Sequence, residues 1–176
     1  MGITVNLLHE IVLPCVKHSQ PVLAYFDSDG GFVGNAYLPE GVLAQDLAVT
    51  KKNEVLVADS ANSVIHFVHE RRRSVRALAI PRAHGDREKP VPGGLCVNAK
   101  DELIVTDTAN NNVKIFNAAS GELQHCFGSA GSRPGQFLQP LGLCVDKQDR
   151  ILVADTGNKR VQMFDFEGKF LHFIVR

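Results

Sequence analysis

The stretch "GLCVDKQDRILVADTGNKRVQMFDFEGKF", which runs from Gly142 to Phe170, decides the fold. Short apolar runs alternate in it with polar turns. β-Branched and aromatic residues favour strands, whereas Asp, Asn and Gly favour the turns of hairpins. The pattern therefore predicts four consecutive strands, at Leu143–Val145, Ile151–Ala154, Val161–Phe164 and Phe170–Ile174.

The same pattern occurs twice more upstream, at a spacing of 48 residues. The copy "GLCVNAKDELIVTDTANNNVKIFNAASGEL" begins at Gly94, and "LAVTKKNEVLVADSANSVIHFV" begins at Leu47. A weaker copy, "VLAYFDSDGGFV" at Val22–Val33, has lost the Asp turn and carries Lys17 in place of the Asp. Four antiparallel strands repeated every ~40–50 residues are typical of β-propeller blades. We predict an all-β fold, a single propeller segment of about four blades, with approximate bounds 1–40, 41–88, 89–136 and 137–176.

The last copy resembles the NHL repeat. Its matching motifs are Phe127-Gly128, Pro134–Gly142, Val145–Asp155, Asn158–Val161 and Phe164–Gly168. The resemblance is specific in repeats three and four, good in repeat two and degenerate in repeat one. It implies a β-propeller, commonly of six blades, like the C-terminal domain of tripartite-motif (TRIM) ubiquitin ligases. Such domains bind protein partners or RNA, and related propellers are lyases and lactonase-type hydrolases. About four copies are present here, so the chain is either part of a larger propeller, closed as four blades, or assembled through open blade edges.

Composition narrows the function classes. Lysine and arginine (19) balance aspartate and glutamate (19), so no global charge draws the chain to nucleic acid or to a membrane. No apolar run approaches the ~20 residues of a membrane helix, and the N-terminus lacks the pattern of a signal peptide. None of the four cysteines forms a C-x-x-C pair, and the seven histidines match no ligand pattern. We expect a cytoplasmic protein with no metal, no cofactor and no membrane contact.

One polar turn recurs in three repeats. Its Asp is followed three residues later by an Asn, in the pairs Asp59 and Asn62, Asp107 and Asn110, and Asp155 and Asn158. A ligand site is usually assembled once from different residues, whereas a motif repeated in each blade indicates a structural turn. Asp accepts backbone N–H bonds, and Asn tolerates the left-handed conformation. We interpret these residues as structural turns, with Asn in the left-handed position.

The residues that vary around these turns are candidates for partner or RNA binding. They are Asn111, Asn112, Lys159 and Arg160. Loops on one face of a propeller commonly bind partners, and Lys or Arg meets phosphate while Asn meets base edges. The alternative for each is a solvated loop.

A basic stretch, "HERRRSVRALAIPRAHGDREK" at His69–Lys89, interrupts repeat two with a surplus of four positive charges. We interpret it as a loop whose arginines suit phosphate, and the alternative is solvated surface. The candidate RNA-binding residues are Arg71, Arg72, Arg73 and Arg76.

Two buried positions and the connector complete the sequence predictions. The connector Gly128–Pro140 is expected to run over the surface, with Phe137 and Leu138 tucked under the next blade. Cys96 and Cys144 occupy equivalent places and are expected to pack in the core.

The sequence therefore predicts a binding module without a catalytic site of its own. The first hypothesis is protein–protein recognition, such as substrate recognition for a TRIM-type ligase, whose RING chemistry would lie elsewhere. The alternative is single-stranded RNA binding through the basic stretch. A metal-dependent lyase or lactonase is a third, minor alternative because no G-x-S-x-G, H-E-x-x-H or P-loop motif anchors it.

Overall fold

A computed structural model describes residues 2–69 and 74–175, which divide into two compact units, residues 1–79 and 80–176. The first unit contains two four-stranded antiparallel sheets whose strands follow chain order. The first sheet is formed by β1 (Thr4–Val5), β2 (Ile11–Lys17), β3 (Gln20–Phe26) and β4 (Phe32–Tyr37). The second is formed by β5 (Ala44–Val49), β6 (Val55–Asp59), β7 (Val64–His69) and β8 (Ser74–Ala79).

The second unit repeats this plan. Its first sheet contains β9 (Pro92–Val97), β10 (Glu102–Asp107), β11 (Asn112–Asn117) and β12 (Leu123–Phe127). A short parallel pair follows, β13 (Ser129–Ala130) and β14 (Gln136–Phe137). The last sheet contains β15 (Pro140–Val145), β16 (Ile151–Asp155), β17 (Arg160–Phe164) and β18 (Phe170–Val175), with a 3-10 turn at Thr156–Asn158. These four four-stranded sheets are hereafter called blades one to four, and the all-β propeller prediction is confirmed.

Alternation along the strands builds the core of each unit. In the first unit, apolar side chains of blades one and two form one cluster: Val12, Leu23, Tyr25, Leu38, Val42, Leu47, Val55, Val57 and Val68. In the second unit, blades three and four share another: Ile104, Val113, Ile115, Phe137, Ile151, Val153 and Phe164. Because strand side chains alternate between faces, each of these residues comes from the face that meets the neighbouring blade.

The inner strands β9 and β15 approach each other closely. A Cβ placed on Gly94 would lie 2.5 Å from the carbonyl oxygen of Leu141. Only glycine fits where two backbones approach in this way.

Two details of the connector and core predictions were wrong. Phe137 is fully buried in the cluster between blades three and four, but the side chain of Leu138 is 46% exposed. Leu138 cannot follow Phe137 inward because consecutive residues of an extended segment point in opposite directions. Cys96 is half-buried as expected, whereas Cys144 is exposed on β15.

Blade one closes its β2–β3 hairpin differently from the other blades. Lys17 pairs directly with Gln20, and both turn residues, His18 and Ser19, have positive φ angles of 49° and 66°. Two left-handed residues form the tight hairpin turn whose twist matches that of the strands. The loss of the Asp turn in the first repeat therefore reflects a shorter turn of another type.

No helix in residues 2–69 and 74–175 is long and apolar enough to cross a membrane.

Candidate functional site

The three Asp turns share one hydrogen-bond plan. In blade two, Oδ1 of Asp59 accepts the backbone N–H groups of Ala61 and Asn62, at 3.1 and 3.3 Å. The side-chain amide of Asn62 donates to Oδ2 at 2.8 Å. The backbone N–H of Leu43, in the segment that enters the blade, also donates to Oδ1 at 3.1 Å. The carboxylate thus holds its own turn and fastens the incoming connector to the blade.

Blades three and four repeat the contacts from the connector and from the Asn amide, and in blade three the backbone N–H groups of Ala109 and Asn110 also donate to Asp107. Oδ1 of Asp107 accepts the N–H of Val91 at 3.1 Å, and Oδ1 of Asp155 accepts the N–H of Leu138 at 2.7 Å. The amide of Asn110 reaches Asp107 at 2.8 Å, and that of Asn158 reaches Asp155 at 2.9 Å. This geometry supports the interpretation of the six residues as structural turns.

The left-handed residue of each turn lies one position later than expected. Ser63, Asn111 and Lys159 have φ angles of 60°, 55° and 55°. The Asn before each of them uses its amide to bond the Asp, so the reversal of the chain falls on the next residue. The expectation that the Asn itself is left-handed was therefore wrong.

A second buried group meets each Asp, and the sequence patterns did not reveal it. It lies seven residues after the Asp, on the strand that follows the turn: His66, Lys114 and Gln162. Nε2 of His66 lies 3.0 Å from Oδ2 of Asp59, and the side-chain amide of Gln162 donates to Oδ2 of Asp155 at 3.0 Å. The available signal was a single polar residue between apolar neighbours at the same place in three repeats, in Ile-His-Phe, Val-Lys-Ile and Val-Gln-Met.

Blade three carries the most highly charged version of this arrangement. The ammonium group of Lys114 is fully buried and donates to Asp107 and, at 2.9 Å, to Asp86. Asp86 comes from the connector between blades two and three, and it also accepts the N–H of Ala83 at 2.7 Å and the amide of Asn112 at 2.8 Å. Burial raises the pKa of Asp86, but these hydrogen bonds and the charge of Lys114 outweigh it, so the pKa lies below its ordinary value. The connector is thus fastened to the blade by a buried ionic cluster.

In blade two, burial likewise raises the pKa of Asp59, but the hydrogen bonds from Asn62, His66 and the backbone together lower it by more. The net effect is a pKa below the ordinary value, so Asp59 stays ionised in the folded protein.

Two of the predicted partner-binding residues, Arg160 and Asn111, form hydrogen bonds within the protein. Arg160 donates to Asp155 at 2.7 Å and to the carbonyl oxygens of residues 132, 133 and 136, and its side chain is only 10% exposed. Oδ1 of Asn111 accepts the N–H of Gln139 at 2.8 Å. These contacts favour a structural role for Arg160 and Asn111. Lys159 is exposed.

The basic stretch is not one continuous loop. Arg71, Arg72 and Arg73 lie outside the described residues, and strand β8 begins at Ser74. Arg76 lies on that strand, where its guanidinium stacks 3.4 Å from the centre of the Phe67 ring and its Nε lies 3.9 Å from Glu54. The prediction of a loop was wrong for residues 74–79, because they form the outer strand of the four-stranded blade.

Each unit has a sizeable cleft among its described residues. In the first unit, a cleft of about 840 Å³ is bordered by β4 and by the facing ends of β7 and β8. In the second unit, a cleft of about 720 Å³ is bordered by residues 83–87, by the turn at 109–112 and by β12. Both volumes lie in the range of about 300–1,000 Å³ that is usual for ligand sites. Within residues 2–69 and 74–175, no group of three or more metal-ligating side chains is placed to hold an ion.

Comparisons with known proteins agree with this architecture. Residues 94–174 match the model of a family described as a 6-bladed β-propeller. The comparison with curated protein sequences gave no match.

Solved structures with a similar fold come from several functional backgrounds. Virginiamycin B lyase from Staphylococcus aureus, in a catalytically inactive form with quinupristin, is 15% identical with a TM-score of 0.77, and the match covers 98% of this chain and 54% of the lyase. A protein of unknown function from Bacteroides caccae is 11% identical with a TM-score of 0.75, covering 100% of this chain and 66% of that one. Hydrazine synthase from Kuenenia stuttgartiensis is 11% identical with a TM-score of 0.74, covering 99% and 48%.

The chain thus spans about half to two thirds of these structures, and at such identities the likeness concerns the fold alone. The four-stranded antiparallel sheets, the family match and these likenesses lead to one conclusion: the chain has the fold of β-propeller blades.

Proposed function

We propose that this chain is a non-catalytic binding module that recognises a protein partner. The observation that carries the proposal is the apolar border of the cleft in the first unit. Three apolar residues that line this cleft, Leu8, Tyr37 and Val75, are 44%, 55% and 39% exposed. Exposed apolar side chains grouped around a cleft are typical of surfaces that bind other proteins.

The internal contacts of the polar residues support the same function. The three Asp turns, Arg160 and Lys114 hold turns and connectors to their blades, so a rigid frame presents the clefts. The NHL-like motifs extend the proposal to substrate recognition for a TRIM-type ligase. In that case another segment or subunit would supply ubiquitin transfer.

The test is capture of partners from cell extract on the immobilised chain. The double variant Leu8→Ser/Tyr37→Ser should lose partners that the unmodified chain retains, because two of the exposed apolar side chains that line the cleft are removed. A matched control is Val16→Ser/Leu43→Ser, which removes two exposed apolar side chains that do not line that cleft. Equal partner recovery by the two double variants would contradict the proposal.

Single-stranded RNA binding is the second candidate, favoured by the exposed Lys159 and by the three consecutive arginines in the sequence at 71–73. Its affinity should fall steeply with added salt, since binding releases counterions from the phosphates. The triple variant Arg71→Ala/Arg72→Ala/Arg73→Ala should weaken it. Absence of binding to a random RNA pool at low salt would exclude it.

Self-association is a further proposal, because outer strands at the edges of the blades can pair with another chain. Light scattering on a sizing column gives the molar mass directly. A mass that rises with protein concentration is expected, and a constant mass of 19.2 kDa would contradict it.

A further inference from the structure

In the second unit, one face of blade three packs on one face of blade four. The face of a blade that corresponds to this face of blade three is hereafter called a trailing face, and the face that corresponds to the one on blade four is called a leading face. The trailing face of blade three contains Cys96, Ile104, Val113 and Ile115. The leading face of blade four contains Ile151, Val153, Phe164 and Phe170. Contact between these two blades is therefore contact between two apolar sheet faces.

Blade four has a trailing face of its own, with the same pattern. The pairing of Leu152 with Cys144 and with Met163 repeats the pairing of Ile104 with Cys96 and with Ile115, 48 residues earlier. The exposure of the two faces differs. The side chains of Ile104 and Val113 are 0% exposed, whereas their equivalents Leu152 and Val161 are half-buried and Cys144 is exposed. Blade four thus exposes a face that is buried in blade three.

Gly142 allows another backbone to approach this exposed face. Its equivalent in blade three is Gly94, where an added Cβ would lie 2.5 Å from the carbonyl oxygen of Leu141 on the next blade. At Gly142, an added Cβ would meet no heavy atom of the described residues within 4 Å, and the φ angle is not positive. Neither local packing nor backbone conformation requires glycine here, but a blade stacked on this face would.

In the first unit, blade one exposes a leading face. Ile11 pairs with Phe26 as Ile151 pairs with Phe164, so Ile11 and Phe26 occupy equivalent positions on this face. The rings of Phe26 and Phe32 meet edge to face with centroids 5.8 Å apart, as those of Phe164 and Phe170 do at 6.0 Å. Phe164 is 0% exposed, whereas Phe26 is half-buried and Phe32 is 59% exposed. The leading face that is buried in blade four is thus accessible in blade one.

The chain therefore exposes both halves of the type of interface that joins blades three and four. The residues named on these two faces are uncharged, so burial of apolar surface favours their contact. We propose that the trailing face of blade four binds the leading face of blade one in a second copy of this chain. The two surfaces differ, so the contact is heterologous. The proposal rests on the proposed self-association, and it assigns the contact to blade faces instead of outer strand edges.

The first measurement is light scattering on a sizing column, with the full chain at about 1–200 μM. The mass should rise with concentration from 19.2 kDa to at least twice that value. Gly142→Ala should weaken the association about tenfold or more, because its methyl group lies where the second backbone approaches. Phe32→Asp should also weaken it, since it places a charge on the leading face. The control Ala119→Val adds methyl groups to an exposed turn of blade three and should change nothing.

Mixing the two variants tests whether the contact is heterologous. Gly142→Ala retains an intact leading face on blade one, and Phe32→Asp retains an intact trailing face on blade four. An equimolar mixture should therefore form a dimer of twice 19.2 kDa at a concentration where neither variant associates alone. Both substituted positions are exposed, so each variant should keep the fold. A mixture that associates no better than the separate variants would overturn the proposal.

Alkylation of Cys144 separates stacking of faces from pairing of strand edges. Cys144 lies on β15, at the opposite side of the blade from the outer strand β18, so stacking covers it and pairing at β18 does not. Its rate of reaction with iodoacetamide should fall about fivefold or more between dilute and concentrated protein, and it should stay constant in Gly142→Ala. Self-association that leaves Cys144 equally reactive, or that Gly142→Ala does not weaken, would overturn this proposal alone. A constant mass of 19.2 kDa would overturn self-association as well.

Discussion

Replacing Lys114 by Met tests whether the buried ionic cluster holds the second unit together. Lys114→Met keeps the length and the apolar stem of the side chain but removes the ammonium group, which contacts Asp107 and lies 2.9 Å from Asp86. Because Lys114 is fully buried, water cannot replace it without opening the blade. Both carboxylates would lose the only ion-pair partner they have among the described residues.

The expected loss of stability depends on the hydrogen bonds that each carboxylate retains. Removing one partner of a buried ion pair typically costs about 3–5 kcal/mol, because the remaining charge is left uncompensated. Asp107 retains hydrogen bonds from Val91, Ala109 and Asn110, so we expect the lower end of that range. A loss of about 3 kcal/mol corresponds to a decrease in Tm of about 6–12 °C for a chain of this size.

The assay is differential scanning calorimetry of the full chain at neutral pH. The matched control Lys147→Met changes an exposed lysine and should alter the free energy of unfolding by less than about 0.5 kcal/mol. Adding Asp86→Asn to Lys114→Met should recover part of the loss, because one uncompensated charge disappears with it. A Tm of Lys114→Met within about 2 °C of the unmodified protein, or strict additivity in the double variant, would refute the reasoning.

Three further predictions concern backbone geometry, acid stability and thiol reactivity. Gly128→Ala should lower Tm more than Gly135→Ala does. Both glycines have a left-handed backbone (φ 93° and 78°), but only at Gly128 would an added Cβ lie 2.4 Å from a buried phenylalanine ring. Equal decreases in Tm would contradict this prediction. The pKa of Asp86 is lower in the folded state than its ordinary value of 3.8. Ionised Asp86 therefore stabilises the folded protein above pH 3.8, and this stabilisation is lost as the pH falls through the folded pKa. Tm measured against pH should fall in acid, and it should fall less steeply in Asp86→Asn. Because burial raises the pKa of Cys126 to about 11, this thiol should react with iodoacetamide at pH 8 far more slowly than the exposed Cys15. Mass spectrometry of timed samples measures both rates. Equal rates would argue against a buried thiol.

Local patterns were sufficient to predict the strands. Each predicted strand of blade four lies within the observed one, because period-two alternation and turn residues are local signals. In blades two and three, the hydrogen bonds that the Asp makes within its own turn come from residues at most three positions away, so they too are local. The left-handed position was misplaced by one residue, since it depends on whether the Asn amide bonds the Asp or the solvent.

The clefts and the buried cluster could not be predicted in this way. Asp86 lies 28 residues before Lys114 and outside the repeated part of the sequence, so no periodicity connects them. The residue seven positions after each Asp differs in chemical type from blade to blade. The equivalence of His66, Lys114 and Gln162 was therefore not recognised from the sequence. Such contacts depend on how a connector folds over a blade, and this is a property of tertiary structure.

The charge count of the basic stretch overstates the charge available for binding. Arg76 stacks on Phe67, and Arg82 donates to the carbonyl oxygens of Asp86 and Arg87 at 3.2 and 2.7 Å. Arginines bound in this way are held in fixed positions and contribute less to diffuse attraction of a polyanion than freely hydrated ones do. Arg87 differs from them because it is exposed and lines the cleft of the second unit. Since the bound arginines contribute little to diffuse attraction, the affinity of this chain for RNA should depend more weakly on salt concentration than the charge count of the stretch implies.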